Sequence, residues 1–529
     1  RRKVGKPYRR QRQMCIRDRK NIYTFILISC ILGFSGCSLE EEPYGFYSED
    51  NFYKTEGDAM AAIHYAYATL TYIEYSRALY FIGDMPTEII TTKGDASVDN
   101  RALNLWRIDN FDTNTTLVNF FKYSFIAINR ANAVIKKMPG TNIDSKLKDQ
   151  YLGEAYFLRA YNYFCLSRNF GLVPMHYGVV ETLSQTGTPL ANNMDEIYDL
   201  MIDDCKKAEE LLPVYAAPIM GRIDRVGAQA LLAKIYLYAA SAKANNVPLY
   251  KEMAKDVNSL YQDAVTYAGR ALGLDPDYPQ NTYGFESDLL KIYDVENFAG
   301  KENIFLMSMD RTGEAEGQYS KISKMFLPYI EGATIWIKQG DKNEYIKSHD
   351  GWGEYHTEVN FYNEFDENDL RKKYLIVDKV YNEDGTVKAE WKPDGGDFAY
   401  PFCRKYIDPK FDGDKTSTRP FLIRFTDIAM VYAEAAGPTT KAYELINFIR
   451  HRAGLGDLTP GLPIDEFREK VYEERKFEMA FEGDRMYDIR RWGRIGEIKE
   501  VKDAGLNESQ YSFYPLPQTE INLNPSLRE

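Results

Sequence analysis

The segment KLKDQYLGEAYFLRAYNYFCLSR, Lys146–Arg168, decides the fold class. No Pro interrupts it, and its apolar residues recur at helical spacing. Gly153, Ala155 and Ala160 stand three to five positions from Tyr, Phe or Leu. Small residues set against large ones let antiparallel helices pack closely as pairs, the logic of tetratricopeptide-type repeats. The same habit returns at 224–243, where Gly227, Ala228 and Ala233 alternate with Leu, Ile and Tyr.

Working outward, helical patterns begin near Gly57 and are expected at 117–137, 195–212 and 258–272. After a break they resume at 421–436, 439–453 and 464–482. Gly171 with Pro174 stops the helix of the opening segment, and Asp275-Pro276 follows the one at 258–272. Between these blocks, 275–419 loses helical periodicity to Gly, Asp, Asn, Pro and aromatics. YNEDGTVKAEW (Tyr381–Trp391) reads as a β-hairpin around Asp384-Gly385. ATIWIK reads as a strand with Trp336 buried. The expected fold is mostly α: a tetratricopeptide-like helix-pair scaffold with long irregular loops and a few short β-hairpins. One domain is expected over 55–529, comprising helical repeats (55–274), an irregular insertion (275–419) and a C-terminal helical part (420–529).

The N-terminus carries an address. Basic Arg17-Asp18-Arg19-Lys20 precedes the apolar run Ile22–Phe34, then Ser35-Gly36, then Cys37. That order matches a bacterial lipoprotein signal peptide over 1–36, with Met14 as its natural start and 1–13 set aside. The run is shorter than the ~20 apolar residues of a membrane span. Cys37 is the expected lipidation site, and 37–54 a polar tether.

Residues 1–36 hold ten of the 66 Lys+Arg and one of the 78 Asp+Glu, leaving 56 basic against 77 acidic side chains beyond them, a balance of −21. Such a surface repels nucleic acid and anionic head groups, so no nucleic-acid partner is expected. Past Cys37 only Cys165, Cys205 and Cys403 remain, with no CxxC or Cys/His cluster. Cys165 and Cys205 fall in helical patterns and read as small core residues. The chain has 41 Tyr, 28 Phe and 5 Trp, a surplus that leaves rings free to stack on flat or ring-shaped ligands.

Several ordered motifs resemble the SusD/RagB family of outer-membrane nutrient-binding lipoproteins. They are SEDNFYKTEGDAMAAIHYAYATL (48–70), INRANAVI (128–135), GEAYFLRAYNYFCLSRNFGLVPM (153–175) and AQALLAKIYLYA (228–239). FLIRFTDIAMVYAEA (421–435), AYELINFIRHRAGL (442–455), VYEERKFEMAFEGDRMYDIRRWG (471–493) and FYPLPQTEINLNPSL (513–527) follow. The stretch 275–419 matches least. The resemblance implies a helical scaffold whose loops build a ligand surface, and a SusC-like TonB-dependent transporter as partner. The protein would act as a hinged lid, lipid-anchored in the outer membrane and facing outward. Its implied ligand is an oligosaccharide, with peptide binding of the RagB kind as the alternative. The acidic tract Glu40-Glu41-Glu42 resembles a surface-export signal.

The candidate ligand residues follow from these readings. In HDGWGEYH (349–356), Trp352 stands between two glycines, with Tyr355 close by and His349 and His356 at the ends. A Trp face suits the C–H face of a pyranose, and two His seven apart are too few for a metal site. Trp391 ends the expected hairpin. In the early loop GDMPTEIITTKGDASVDNRALNLW (83–106), Trp106 matches the Trp that the family places near its ligand surface, with Asp84, Asp99, Asn100 and Arg101 as polar candidates. No metal or cofactor is required; calcium at the acidic FDENDLR (365–371) is a weaker reading, since that segment lacks EF-hand spacing. Glu474, Glu478 and Glu482 share one helix face. They raise the competing reading of a surface glycosidase. The interleaved Arg475, Arg485, Arg490 and Arg491 point instead to an ion-pair network and to a non-enzymatic protein.

Overall fold

In the computed structural model, residues 53–330 and 334–528 are described. Cys37 and nearly all of the expected tether lie outside them. The first helix, α1 (Glu56–Thr71), starts in a capping box: Thr55 accepts from the Asp58 N–H and the Asp58 side chain accepts in return. It is followed by α2 (Ile73–Gly83), β1 (Ile90–Thr92), α3 (Val98–Asn104) and α4 (Thr115–Lys137). The opening segment forms α5 (Ser145–Phe170), capped by Asp144 and ended by Gly171 at φ 71°. Three more helices, α6 (Met194–Leu211), α7 (Arg225–Ala244) and α8 (Val257–Ala271), each start on an Asn or Asp cap.

Successive helices from α4 to α8 pack on one another in sequence order, as paired repeats should. The small residues permit this. A Cβ on Gly153 would stand 2.7 Å from Leu212 Cγ, so the chain after α6 can approach α5 only because that position is Gly. Cys165 and Cys205 are buried thiols inside this stack.

The stretch 275–419 is more ordered than its composition suggests. It contains α9 (Leu289–Ile292), β2 (Asn303–Leu306), β3 (Thr334–Lys338), β4 (Tyr345–His349), β5 (Tyr355–Thr357) and α10 (Leu370–Leu375). The expected hairpin is formed by β6 (Lys379–Tyr381) and β7 (Val387–Glu390). An antiparallel sheet of order β4-β3-β6-β7 results. Its inner face buries Ile335, Ile337, Val380 and Ala389 on Leu327 and Phe402. Strand alternation therefore holds over Thr334–Lys338, but in the opposite phase to that expected. Ile335 and Ile337 point inward, and Trp336 is only half-buried on the other face.

The helix expected over 421–436 also needs correcting. Phe421–Arg424 is β8, paired with β2, and the helix α11 spans only Phe425–Ala436. Next come α12 (Thr440–Arg452), α13 (Ile464–Glu478) and α14 (Arg485–Arg491). The charged motif locks these elements together. Glu478 accepts from Arg424 at 3.0 Å, Arg452 at 2.8 Å and Arg371 at 3.2 Å. Glu482 meets Lys405 at 2.6 Å and Arg424 at 2.8 Å. Arg475 bridges Asp427, Asp484 and Asp488. Both glutamates and Arg475 are buried, so the network ties the insertion, through Arg371 and Lys405, to the C-terminal helices.

Candidate ligand surface

Two distant loops meet where β1 pairs antiparallel with β5, with Thr92 opposite Tyr355. That register brings the residues flanking the two strands together. Lys93 Nζ lies 3.5 Å from Glu354 Oε2, and Asn100 Nδ2 donates to Glu354 Oε1 at 3.0 Å. The Thr92 hydroxyl donates to the Glu354 carbonyl at 3.2 Å. Asn100 and Arg101 sit in α3, whose start is capped by Ser97. Arg101 is half-buried, and its Nη1 donates to the Gly94 carbonyl at 3.4 Å.

Trp352 joins this cluster from the segment just before Glu354. The two flanking glycines do not leave its loop free. Gly351 N–H donates to the Pro328 carbonyl and Trp352 N–H to the Lys324 carbonyl, each at 2.6 Å. Gly353 and Glu354 donate to the Leu327 and Met325 carbonyls. A Cβ on Gly351 would lie 1.8 Å from the Leu327 oxygen, so only Gly permits this docking. The Trp352 side chain is half-buried, with the Arg77 guanidinium 5.8 Å from its ring centroid. Tyr329, 69% exposed, follows Pro328 directly. The result is a backbone-pinned Trp next to amide, carboxylate and cationic groups, a combination of the kind suited to ring faces and hydroxyls.

Three of the expected ligand residues are instead interior. Trp106 is 2% exposed; its indole N–H donates to the Pro86 carbonyl at 2.9 Å, and its ring stacks near Tyr514. Tyr355 is fully buried among Tyr80, Phe81 and Phe326, because β5 turns its side chain into the core. Asp84 is fully buried and accepts from the backbone N–H groups of Gly483 and Arg485. Burial raises its carboxyl to about 7, although those two bonds oppose the rise. None of the three can meet a ligand at the surface.

Trp391 is half-buried at the end of β7, donating from Nε1 to the Ala399 carbonyl at 3.0 Å and packing edge-on against Tyr362. Asp99 accepts from the Thr115 N–H and so supports the start of α4. His349 Nδ1 meets the Asp350 carbonyl at 2.7 Å, and burial lowers His356 to about 4. In FDENDLR, Asp369 is taken up by Arg371 and Asp366 by Asn368. Among the described residues no group of three or more His, Cys, Asp or Glu is placed to hold a metal ion.

Glu354, Lys93, Arg77 and Tyr329 join the candidate surface only in the structure. The signal for Glu354 is the strand pairing of its neighbour Tyr355; Arg77 has none, because a lone Arg on a helix is ordinary.

Two family models match the chain: "SusD family" over residues 301–529 and "Starch-binding associating with outer membrane" over 53–237. This chain belongs to the SusD family. SusD-like proteins P2 and P38 of Formosa agariphila are 27% and 26% identical, each over 96% of this chain and 98% of theirs. Among solved structures, a SusD homologue from Bacteroides thetaiotaomicron superposes with a TM-score of 0.73 at 20% identity, covering 91% of this chain and 98% of that one. A laminarin-binding SusD-like protein gives 0.70 at 20% identity, over 89% and 98%. Surface glycan-binding protein A from Bacteroides thetaiotaomicron, in complex with laminarihexaose, gives 0.66 at 19% identity, over 88% and 97%. The helical SusD fold is thus shared across nearly the whole length. Among the described residues no helix is long and apolar enough to cross a membrane.

Proposed function

We propose that this SusD-family protein is a surface-exposed lipoprotein of the outer membrane that binds nutrient oligosaccharides. It would deliver them as a lid over a SusC-like TonB-dependent transporter. The observation that carries the reading is the pinned Trp352, two residues before the Glu354 that accepts from Asn100, in a family one of whose models is named for starch binding. Two relatives of the same fold are named for laminarin or crystallised with laminarihexaose, which favours a glycan over a peptide.

Catalysis is not part of this reading. The glutamates on which a glycosidase would depend are saturated with guanidinium groups. Burial alone would raise Glu478, but Arg452, Arg424 and Arg371 together outweigh it and hold the carboxyl well below the usual range. A general acid must keep its proton near neutral pH, and Glu478 does not. The lipid on Cys37 and the tether supply attachment, leaving the helical body to bind.

Affinity electrophoresis in gels containing laminarin, starch and other glycans tests the proposal. At least one glycan should retard the protein, and Trp352→Ala should migrate freely in that gel. Trp391→Ala should weaken retardation less than Trp352→Ala, because the Trp391 indole N–H is already taken up by the Ala399 carbonyl. An absence of retardation across a broad glycan panel would sink the sugar reading. Release of the Cys37→Ala variant from the cell surface, with glycan retardation kept, would support the division between anchor and body.

A further inference from the structure

A cleft of about 900 Å³ opens at the turn end of the β3–β4 hairpin. Trp352 lies beyond the other end of that hairpin. Its five-residue strands span about 17 Å at ~3.3 Å per residue, so the two regions are separate. The floor of the cleft is apolar, with Leu289 of α9 and Leu375 of α10 buried and Leu290 and Tyr374 half-buried beside them.

Arg404 lines this cleft and is only 8% exposed. Its Nη2 donates to Gln339 Oε1 at 2.7 Å and its Nη1 to the Tyr374 carbonyl at 3.3 Å. Both acceptors are neutral. Its Nε–H has no acceptor, and among the described residues no carboxylate forms an ion pair with it. The buried arginines 371, 424, 452, 475 and 491 all meet carboxylates; buried Arg490 donates to the Ser512 and Arg168 carbonyls, away from this cleft. Burial lowers Arg404 to about 10 and Asp288 opposes this only in part, so the guanidinium remains charged at neutral pH. A buried cation without a counter-charge carries a desolvation cost that a bound anion would offset.

We propose that this cleft is a second ligand site, taking a single carboxylate attached to a ring. The acid pairs with Arg404, and the ring lies against Leu289, Leu290 and Tyr374. Asp288, Asp294, Asp341 and Glu344 also line the cleft, as do Lys291, Lys342 and Arg452. Arg452 is already paired with Glu302 and Glu478, so the site favours one acid group directed at Arg404, the buried cation there without a carboxylate partner. A uronate unit and an aromatic acid share this chemistry.

Calorimetric titration of the full chain with glucuronate and with 4-hydroxybenzoate tests this, using glucose and 4-hydroxybenzamide as neutral counterparts. At least one acid should bind about tenfold or more tightly than its neutral counterpart, since a charge-assisted hydrogen bond contributes that much. Which acid binds identifies the source of the ring. Arg404→Gln should remove the preference. Because Arg404 is buried, Leu290→Trp serves as a second variant that fills the cleft and leaves Arg404 in place; it should weaken acid binding by a similar factor. Trp352→Ala should leave acid binding intact. Equal binding of acids and neutral counterparts would overturn the proposal, as would no acid binding. Acid binding lost with Trp352→Ala, or kept in a folded Leu290→Trp protein, would overturn it too.

Discussion

Asn100 and Glu354 meet across 254 residues of sequence through a 3.0 Å hydrogen bond from Nδ2 to Oε1. The bond joins α3 to the segment that carries Trp352, and the β1–β5 pairing stands directly beside it. A double-mutant cycle of Asn100→Ala and Glu354→Ala should give a coupling energy of about 1 kcal/mol in urea unfolding. Each single variant should also weaken glycan retardation. Strict additivity in both readouts would mean that the bond is incidental.

Gly351 lies where the Trp352 segment presses against Leu327. Gly351→Ala should break that docking and lower both stability and glycan binding, although the substituted residue meets no ligand itself. Overpacking of this kind costs about 1–3 kcal/mol. Thermal unfolding alongside affinity electrophoresis reads both effects. Wild-type behaviour in both would show that the loop has another resting place.

Glu478 is held ionised by Arg452, Arg424 and Arg371 against the opposing effect of burial. A carboxyl depressed in the folded state contributes stability that is present above its ordinary value and is lost as pH falls through the folded one. The protein should therefore lose stability progressively on acidification below the ordinary glutamate range. Glu478→Gln should cost about 3–5 kcal/mol at neutral pH, because it strands buried arginines. Denaturant unfolding across pH measures both. Wild-type protein should release no reducing sugar from any glycan it binds.

Asp84 behaves in the opposite sense. Burial raises it from 3.8 to about 7. Its contribution is then fully present below the unfolded value and is lost as pH rises through the folded one. Stability assigned to this group should decline between pH 3.8 and about 7, and Asp84→Asn should flatten the profile there. An unchanged slope in the variant would assign the decline to other groups.

The scaffold was readable because helix pairing depends on local features. Gly153 and the alternation of small and large residues in α5 are visible in the sequence and act in the structure as read. The ion-pair network was readable only as a network, since carboxylates and guanidinium groups buried together must pair; its partners were not, because Glu478 meets Arg371, Arg424 and Arg452 from other elements and the helix ends at Glu478, before Glu482. The ligand surface was only half legible. Trp352 was visible as a Trp between glycines, but the use of those glycines, close approach to the Leu327 backbone, depends on a segment more than twenty residues away. Trp106, Tyr355 and Asp84 look like ligand residues in a loop-rich stretch. Their burial follows from long-range packing that no local pattern records: Trp106 against Tyr514, Tyr355 against Phe326 and Asp84 against Gly483. Phe421–Arg424 was misread for the same reason, because its partner strand β2 lies over a hundred residues earlier.

The central claim is that Trp352 and its polar neighbours form the glycan-binding surface of this protein. The most direct measurement is calorimetric titration of wild type and Trp352→Ala with the glycan that gives the strongest gel retardation, fold being checked by circular dichroism. Saturable binding to wild type is expected, with binding at least about tenfold weaker to the variant and the helical signal unchanged. Equal affinity in a folded Trp352→Ala protein would contradict the claim.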